Sequence, residues 1–584
     1  MVLFTVPVLL SQIFLAAAHP LLEPVNIKST RSLSTAELIS PNTTAYIQGL
    51  QSLYAIPGVA IAVVTAPTFG SNNGSWASQL LSFGNATAGG KAVDEHTIFA
   101  LGSNSKLFTA LAIELLIANQ TVLPSGNGTL SFATKIADIL PEWQLQDSYA
   151  STHVDVTDLL TMRSGMPRHD LSYAADATMS EVVAMMRNLR PSTEIRQAFQ
   201  YNNFHYMTLA LVVERVSGTP FANFVQTHIL SPIGMNETYY NSTTVLGTGH
   251  AADGFQNTGV NLTHCYEAYV SSQGTIDPTC FGNPKSLGWF ADSDVSVLGG
   301  AGAVASTAAD MALWLRELLQ PAVLPAGIVQ DVSLGRESMG LGPGSQVMGE
   351  QTYGYGQLSY SYRGNAVVYH TGSVPGFASE IMRLPDAGVA VAVLTNGASS
   401  ITDYICWHIV DQLLGLEPID WSQEVLAASL PSFGISAYPS PPAVNVTPPS
   451  VPFDSIAGSY TDAGYGTVNL TLMNATAMAT DPVYTPLFVG PDLPINLTGP
   501  VWVADINKFF GSKLVFTHFD GDFFNATAMY VRGNVSTVLG PAPVVVTGDG
   551  IGAWGIWGQG STVPTKPIVI EGVEEACEVW FKKD

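Results

Sequence analysis

The sequence predicts a mixed α/β (α+β) fold in which the first and last strands of one sheet enclose an inserted helical region. Residues 58–64 form an apolar, β-branched run between two prolines, which is typical of a buried strand. Helical spacing dominates from about residue 130 to residue 290, and strand-like runs return at 366–369 and 389–395. A sheet built from both ends of this region must close around the helices between them.

A separate all-β domain is predicted at the C-terminal end. Residues 430–449 are Pro-rich and uncharged, which indicates a semi-rigid linker. Beyond them, apolar and polar residues alternate at 467–472 and 513–518, as in antiparallel strands. We therefore place a first domain at residues 43–420, a linker at 421–450 and a C-terminal β domain at 451–584.

The charge of the chain excludes two classes of partner. Its 584 residues hold 22 Lys and Arg against 46 Asp and Glu, a formal net charge of −24. Nucleic acids and anionic membranes attract basic surfaces, so we expect neither as a partner. Hydrophobic residues make up 47% of the chain, which supports a sizeable core and excludes a largely disordered protein.

The N-terminal segment and the sequons predict export. Residues 1–18 are interpreted as a signal peptide, because an apolar run ends at the small-residue cleavage pattern Ala16-x-Ala18. Residues 19–42 follow as a leader segment. Acceptor sequons for N-glycosylation are dense and lie at Asn42, Asn73, Asn85, Asn119, Asn127, Asn236, Asn241, Asn261, Asn445, Asn469, Asn474, Asn496, Asn525 and Asn534. We expect a secreted, extracellular glycoprotein.

Four cysteines, at positions 265, 280, 406 and 577, predict two disulfides in an exported chain. Three pairings are formally possible, and we prefer Cys265–Cys280 because it closes a short local loop. None of the four has metal-ligand spacing, and the histidines form no metal motif. We see no nucleotide-fold glycine pattern either, so no metal and no cofactor is predicted.

The first candidate for chemistry is the pair Ser103 and Lys106 at the start of a predicted helix. Residues three apart share one face of a helix, so the hydroxyl and the amine lie within reach of each other. A desolvated Lys has a lowered pKa and can accept the proton of a nucleophilic hydroxyl. The alternative is that Ser103 is an ordinary helix cap, since this short pattern also arises by chance.

Two further motifs carry polar groups suited to the same chemistry. Tyr201 and Asn203 precede a helical run, and a Tyr hydroxyl beside a Lys ammonium can be driven towards phenolate and shuttle a proton. His370, Thr371, Gly372 and Ser373 follow the predicted strand 366–369, where a Gly lets a substrate approach backbone N–H groups. Taken singly, each motif is better explained by an ordinary turn than by catalysis.

Together, the order and separations of these motifs resemble the serine β-lactamase and penicillin-recognising family. The likeness is to its class C-like branch of esterases and D-amino-peptidases and to exported fungal β-lactamase-like hydrolases. Further stretches strengthen it: 156–167 (VTDLLTMRSGMP), 299–310 (GGAGAVASTAAD), 353–357 (YGYGQ) and 374–377 (VPGF) match landmarks of the family in order. The resemblance covers about residues 45–420.

The resemblance implies an antiparallel sheet flanked by helices and a role for each matching residue. Ser103 would be the acylated nucleophile, and Lys106 with Tyr201 the proton-transfer pair. Asn203 and the segment 370–372 would contact the substrate. The backbone N–H groups of Ser103 and Ser373 would form the oxyanion hole.

One departure from the family bears on specificity. The β-lactamases of the family carry Lys where His370 stands, and a neutral imidazole holds a β-lactam carboxylate poorly. We therefore expect little or no β-lactamase activity and a hydrolase of small-molecule or peptide esters or amides. The alternatives are an acyl transferase with the same site and a non-catalytic binding or sensor protein.

The sequence does not predict the oligomeric state. The pair Met162-Arg163, where many relatives have His-Thr, has no explanation from the sequence.

Aromatic residues of the C-terminal domain, Tyr465, Trp502, Phe509 and Phe510, allow two interpretations. They either guard the cleft or form the aromatic core of a β-barrel or sandwich, and the second is favoured.

Overall fold

The structure is a computed structural model that describes residues 37–584 apart from 71–73, 261, 273–276, 292–295, 398, 426–445, 475–477, 479, 482, 485–498, 534 and 556–571. The predicted signal peptide and all but the last residues of the leader lie outside the described residues, as does most of the predicted linker.

An eight-stranded antiparallel sheet forms the centre of the first domain. Its order is β2-β1-β12-β11-β10-β9-β8-β7, so the first strands of the chain lie beside the last strand of this domain. Two small sheets, β3-β6 and β4-β5, lie outside it. The strands are β1 Gly58–Thr65, β2 Ala77–Gly84, β3 Phe99–Ala100, β4 Gly254–Thr258, β5 Asn283–Gly288, β6 Ala305–Ser306, β7 Glu337–Ser345, β8 Met348–Tyr353, β9 Leu358–Tyr362, β10 Asn365–Val374, β11 Phe377–Leu384 and β12 Val389–Thr395.

Helices cover both faces of this sheet. Strand β1 is apolar throughout because both of its faces are buried. Ala60 and Ala62 face one core, whereas Val59 and Ile61 face the other. The helices are α1 Pro41–Leu53, α2 Ser105–Ala118, α3 Ser148–His153, α4 Val156–Leu160, α5 Met179–Met185, α6 Asn203–Ser217, α7 Phe221–Val225, α8 Ser231–Ile233, α9 Ser242–Gly247, α10 Leu262–Ser271, α11 Ala308–Leu319, α12 Ala326–Asp331 and α13 Ile401–Leu414. Helices α1 and α13 cover the second face, and α11 packs on the first beside the inserted helices.

The C-terminal domain is a closed antiparallel β-barrel. Its strands are β13 Gly458–Asp462, β14 Gly466–Met473, β15 Val501–Lys508, β16 Gly511–Asp520, β17 Phe523–Arg532, β18 Val535–Val546, β19 Gly550–Ala553 and β20 Val579–Lys583, with the short helix α14 Val573–Ala576 before the last strand. Side chains inside the barrel, Trp502 among them, join those of the first domain in one continuous hydrophobic cluster. The two domains therefore share a core rather than touching only at their surfaces.

The predicted fold class is confirmed: an antiparallel sheet flanked by helices encloses a helical region, and an all-β domain follows. One prediction within it is wrong. Strand β10 does not end at Tyr369 but continues to Val374, so His370–Ser373 lie within the strand. Residues 368–374 pair with β11, and this pairing extends the strand. The local sequence pattern of residues 366–374 does not reveal a pairing with a distant segment.

The prediction of two disulfides is also wrong, because Cys406 and Cys577 are free thiols. Cys406 is buried under the sheet in α13, whereas Cys577 is buried against the barrel, where its Sγ lies 2.9 Å from the carbonyl oxygen of Val573. The side chain of Cys280 lies outside the described residues, so the pairing Cys265–Cys280 stays a prediction.

None of the sequon asparagines within the described ranges is buried. Their positions are compatible with glycosylation, which stays a prediction. Asn73, Asn261, Asn445, Asn496 and Asn534 lie outside those ranges. Among the helices described, none combines the length and the apolar character needed to cross a bilayer.

Candidate active site

Ser103 lies in a tight turn, Gly102–Asn104, that leads directly into α2. The Ser105 hydroxyl fastens this turn, since it donates to the Gly102 carbonyl at 2.7 Å and accepts from the Val304 N–H at 3.0 Å. The Ser103 side chain is only half-buried, unlike its neighbours on both sides. The turn therefore presents one hydroxyl to solvent from a rigid support.

Lys106 is fully buried one helical turn later and makes three polar contacts. Its Nζ lies 3.1 Å from Ser103 Oγ, 2.8 Å from Asn203 Oδ1 and 2.8 Å from the Ala301 carbonyl oxygen. Asn203 and Ala301 come from α6 and from the segment after residue 299, so three distant stretches of chain meet at this amine. The predicted proximity of Ser103, Lys106 and Asn203 is present in the structure.

Burial lowers the pKa of Lys106 well below its usual range, the positive charge of Arg168 lowers it further, and Asp170 opposes both. A neutral amine has two hydrogens and one lone pair. Asn203 Oδ1 and the Ala301 carbonyl can only accept, so they take the two hydrogens. The lone pair is then left for Ser103 Oγ, the geometry of a general base against a nucleophile.

Tyr201 lies beside both Ser103 and Lys106. Lys106 Nζ is 4.9 Å from the centre of the Tyr201 ring. Burial raises the pKa of Tyr201, although a hydrogen bond with Ser103 and the charge of Arg168 act to lower it. Tyr201 is therefore a neutral phenol at rest, whereas the sequence-based interpretation had it driven towards phenolate.

The loop before Tyr201 explains the departure at Met162-Arg163. The Met162 carbonyl accepts from the Gln200 N–H at 2.9 Å, and the Asn202 N–H contacts Met162 Sδ at 3.3 Å. Arg163 pairs with Asp158 at 2.9 Å on the adjacent helix α4. Met162 thus supports the segment that carries Tyr201, whereas the Arg163 side chain is paired with α4.

Strand β10 forms the opposite wall of the site through His370–Ser373. Strand β9 pairs with β10 only as far as Tyr369, and beyond that point the turn at Gly102 takes the place of a neighbouring strand. A side chain at Gly102 would come within 2.6 Å of the Ser373 nitrogen. The backbone of Gly102, directly before Ser103, therefore lies against that of Ser373, and the assignment of the Ser103 and Ser373 N–H groups to one oxyanion hole stays a prediction.

His370 is buried and uncharged. Burial lowers its pKa to about 3, and the nearby Lys106 acts in the same direction. His370 Nδ1 is 2.5 Å from the Thr371 carbonyl oxygen, which can only accept, so the hydrogen is on Nδ1. Nε2 then carries a lone pair, and it makes no hydrogen bond within the described part of the chain. This wall therefore carries no positive charge at His370.

Two charged residues beside the site were missed by the sequence analysis. Asp170 Oδ1 accepts from Asn203 Nδ2 at 3.0 Å, and the Arg168 guanidinium lies 5.0 Å from the centre of the Tyr201 ring. Arg168 Nε and Asp170 Oδ2 pair at 2.6 Å. A signal was present: in a chain with 12% charged residues, two opposite charges directly follow the family-like segment 156–167.

The family model described as Beta-lactamase matches residues 43–411, which is more than half of the chain. The chain belongs to the beta-lactamase family. The structure supports this assignment independently, because the three predicted motifs converge on one site.

Relatives extend the likeness beyond the first domain. The unguisins hydrolase ungD of Aspergillus violaceofuscus is 26% identical over 538 residues, covering 85% of this chain and 84% of that protein. Penicillin-binding protein 4 of Amycolatopsis lactamdurans is 23% identical and covers 63% of this chain and 88% of that one. The octameric penicillin-binding protein homologue from Pyrococcus abyssi has a TM-score of 0.52 at 18% identity and covers 88% and 97% of the two chains, which supports the fold.

The remaining candidates are structural. Tyr465, Trp502, Phe509 and Phe510 are all buried, which supports their interpretation as core residues. Among the residues that the structure describes, no three histidine, cysteine or acidic side chains cluster as metal ligands.

Proposed function

We propose that this β-lactamase-family hydrolase cleaves ester or amide substrates through an acyl-enzyme on Ser103. The observation that carries the proposal is the position of Lys106. Its amine is buried, has a lowered pKa, and directs a lone pair at Ser103 Oγ once its two hydrogens are engaged.

In the acylation step, Ser103 Oγ attacks the carbonyl carbon while its proton passes to Lys106 Nζ. The carbonyl π electrons move onto oxygen, and the Ser103 and Ser373 N–H groups stabilise that oxyanion. The bond to the leaving group then breaks. Tyr201, a neutral phenol, donates its proton to the leaving group and regains one from the Lys106 ammonium.

Deacylation reverses the roles. A water molecule gives its proton to the same base and attacks the acyl carbon, and Ser103 departs with a proton. If an alcohol or amine takes the place of water, the same acyl-enzyme performs acyl transfer.

The substrate is proposed to lack a carboxylate at the His370 wall. Asp170 neutralises Arg168, and His370 is neutral, so the β10 side of the site offers no free cation among the described residues. The group of the substrate that lies against this wall is instead uncharged. The hydrolase named for unguisins among the relatives supports a substrate other than a β-lactam. Weak or absent β-lactamase activity follows.

Export is part of this proposal. The signal-like residues 1–18 and the surface positions of the described sequons support a secreted glycoprotein. Endoglycosidase treatment of protein from the culture medium tests this, since an unchanged mass would contradict it.

The proposal is tested by labelling with a serine-directed fluorophosphonate. We expect wild-type protein to be labelled and Ser103→Ala to lose all labelling, whereas Ser180→Ala, at an exposed serine in helix α5, should be labelled like the wild type. Labelling unchanged by Ser103→Ala would contradict the proposal. Adding acceptor alcohols and analysing the products separates hydrolysis from transfer.

A further inference from the structure

The orientation of one amide side chain decides whether Lys106 is correctly arranged. Asn203 can present either its oxygen or its NH2 group to Lys106, because the two ends of an amide have the same shape. An NH2 group facing the amine would compete for the lone pair that Ser103 requires. Asp170 settles the choice, since its carboxylate only accepts and therefore draws Asn203 Nδ2 towards itself at 3.0 Å. Asn203 Oδ1 is then left to accept from Lys106 Nζ at 2.8 Å.

Asp170 itself is held from two directions. Arg168 Nε donates to Asp170 Oδ2 at 2.6 Å, and the Tyr173 hydroxyl donates to Oδ1 at 3.3 Å. Tyr173 is almost completely buried, and its ring meets that of Phe204 edge-on at 5.2 Å. The carboxylate therefore has a fixed direction, although it lies on a connecting segment rather than in a helix or strand.

The segment that carries Asp170 is fastened to the C-terminal barrel. The turn between β15 and β16 supplies three of the contacts: Lys508 Nζ donates to the Ser172 carbonyl at 2.7 Å, the Phe509 N–H donates to the Tyr173 carbonyl at 3.2 Å, and the Phe510 ring meets the Tyr173 ring edge-on at 6.2 Å. A fourth comes from the Tyr465 hydroxyl, 2.8 Å from His169 Nδ1.

We propose that Asp170 is a positioning residue for Lys106, acting through Asn203, and that the barrel turn 508–511 holds Asp170 in place. The inference rests on the proposed function of Ser103 and assigns the C-terminal barrel a part in the same reaction. The path from the barrel to the nucleophile runs from Phe510 to Tyr173, and then through Asp170 and Asn203 to Lys106.

The charge of Asp170 gives the inference a second readout. The ionisable groups that face Lys106 are Arg168, Asp170, Tyr201, Tyr206 and His370. Asp170 supplies the negative charge among them and favours the ammonium form of Lys106. Without that charge the neutral amine persists to lower pH, so the acid limb of the rate profile moves to lower pH.

Two variants distinguish the effect of the Asp170 charge from the effect of its hydrogen bond with Asn203. Asp170→Asn retains an oxygen that accepts from Asn203, whereas Asp170→Ala retains nothing. With p-nitrophenyl acetate as the probe, we expect Asp170→Ala to lose about 100-fold in kcat with little change in KM. Asp170→Asn should recover most of that loss and show the shifted acid limb. A merely structural residue would not produce this recovery together with that shift.

The contribution of the barrel is tested by Phe510→Ala with Phe523→Ala as its control. Both remove a phenyl ring from the barrel, but Phe523 packs at the cluster around Trp554 and Trp580. We expect a loss of about 10-fold in kcat for Phe510→Ala and none for Phe523→Ala. Equal effects of the two variants would overturn the role of the turn.

The role of Asp170 is overturned if Asp170→Ala keeps the wild-type kcat while Ser103→Ala abolishes the reaction. If Asp170→Ala does not fold, Asp170→Asn decides, and an unshifted acid limb overturns the inference. Failure of the proposed function is a different result, because Ser103→Ala would then retain the esterase activity.

Discussion

At the scale of single residues, Lys106 and His370 are two basic side chains that burial affects in the same way but that differ in what they contact. Burial lowers the pKa of both side chains, to about 3 for His370 and well below its usual range for Lys106. Lys106 directs its lone pair at Ser103 and is suited to accept the proton of the nucleophile. His370 holds its hydrogen on Nδ1, so its buried Nε2 carries a lone pair and no charge at the opposite wall.

Substitution of His370 by Lys tests the specificity that follows from this difference. A Lys in β10 at this position supplies a cation that binds a substrate carboxylate by a charge-assisted hydrogen bond of about 1.5–3 kcal/mol. We expect His370→Lys to raise kcat/KM about 10-fold for an ester with a free carboxylate relative to its methyl ester. Paired kinetics on the two substrates measure the ratio. His370→Gln, neutral and able to accept, is the control and should keep the wild-type ratio. The same ratio in all three proteins would contradict a neutral His370 wall.

At the scale of elements, the site depends on how closely the Gly102 turn approaches strand β10. A Cβ at Gly372 would lie 1.9 Å from the Leu101 carbonyl oxygen, which is backbone and cannot move aside as a side chain does. The Ser379 hydroxyl reinforces this approach, since it donates to the same carbonyl at 2.7 Å.

We therefore expect Gly372→Ala to push β10 away from the turn. The variant should destabilise the fold by about 1–3 kcal/mol and slow acylation of Ser103 by about 100-fold, because the proposed oxyanion donors, the N–H groups of Ser103 and Ser373, would move apart. Denaturant unfolding and the rate of fluorophosphonate labelling measure the two effects. Gly327→Ala is a matched control, since that glycine lies in helix α12 with nothing near its Cβ position. Wild-type labelling rates in Gly372→Ala would contradict the close approach.

The sequence predicted the elements that have local patterns and missed the contacts that only the fold creates. The spacing of Ser103 and Lys106 on one helix, and the apolar run of β1, are properties of a few adjacent residues, and both predictions agree with the structure. The continuation of β10 to Val374 comes from its pairing with β11, which no local pattern contains. Asp170 reaches Asn203 across 33 residues, and a cysteine count does not reveal which thiols lie close together.

At the scale of the whole molecule, the barrel and the catalytic domain behave as one body in their packing. The barrel interior continues into the core that contains α2 and α6, the helices of the site. Polar contacts add to this core: Arg532 Nε donates to the Leu287 carbonyl at 2.9 Å, and Arg190 donates to the Cys577 carbonyl at 2.9 Å. A domain joined only by a linker would have neither the shared core nor these hydrogen bonds.

This packing predicts that the two domains unfold together. Trp502 is fully buried inside the barrel, and its replacement by Ala costs about 3–5 kcal/mol. Because the two cores are continuous, Trp502→Ala should lower two transition temperatures by the same amount. One is the temperature at which tryptophan fluorescence changes, and the other is the temperature at which Ser103 loses its labelling. Leu472→Ala, on the barrel exterior, should change neither. Both readouts are taken at one heating rate, because unfolding of large proteins is often irreversible. The contrary result is a lower fluorescence transition temperature with labelling of Ser103 retained to the wild-type temperature. It would show that the barrel unfolds independently. The barrel would then be too loosely attached to hold Asp170.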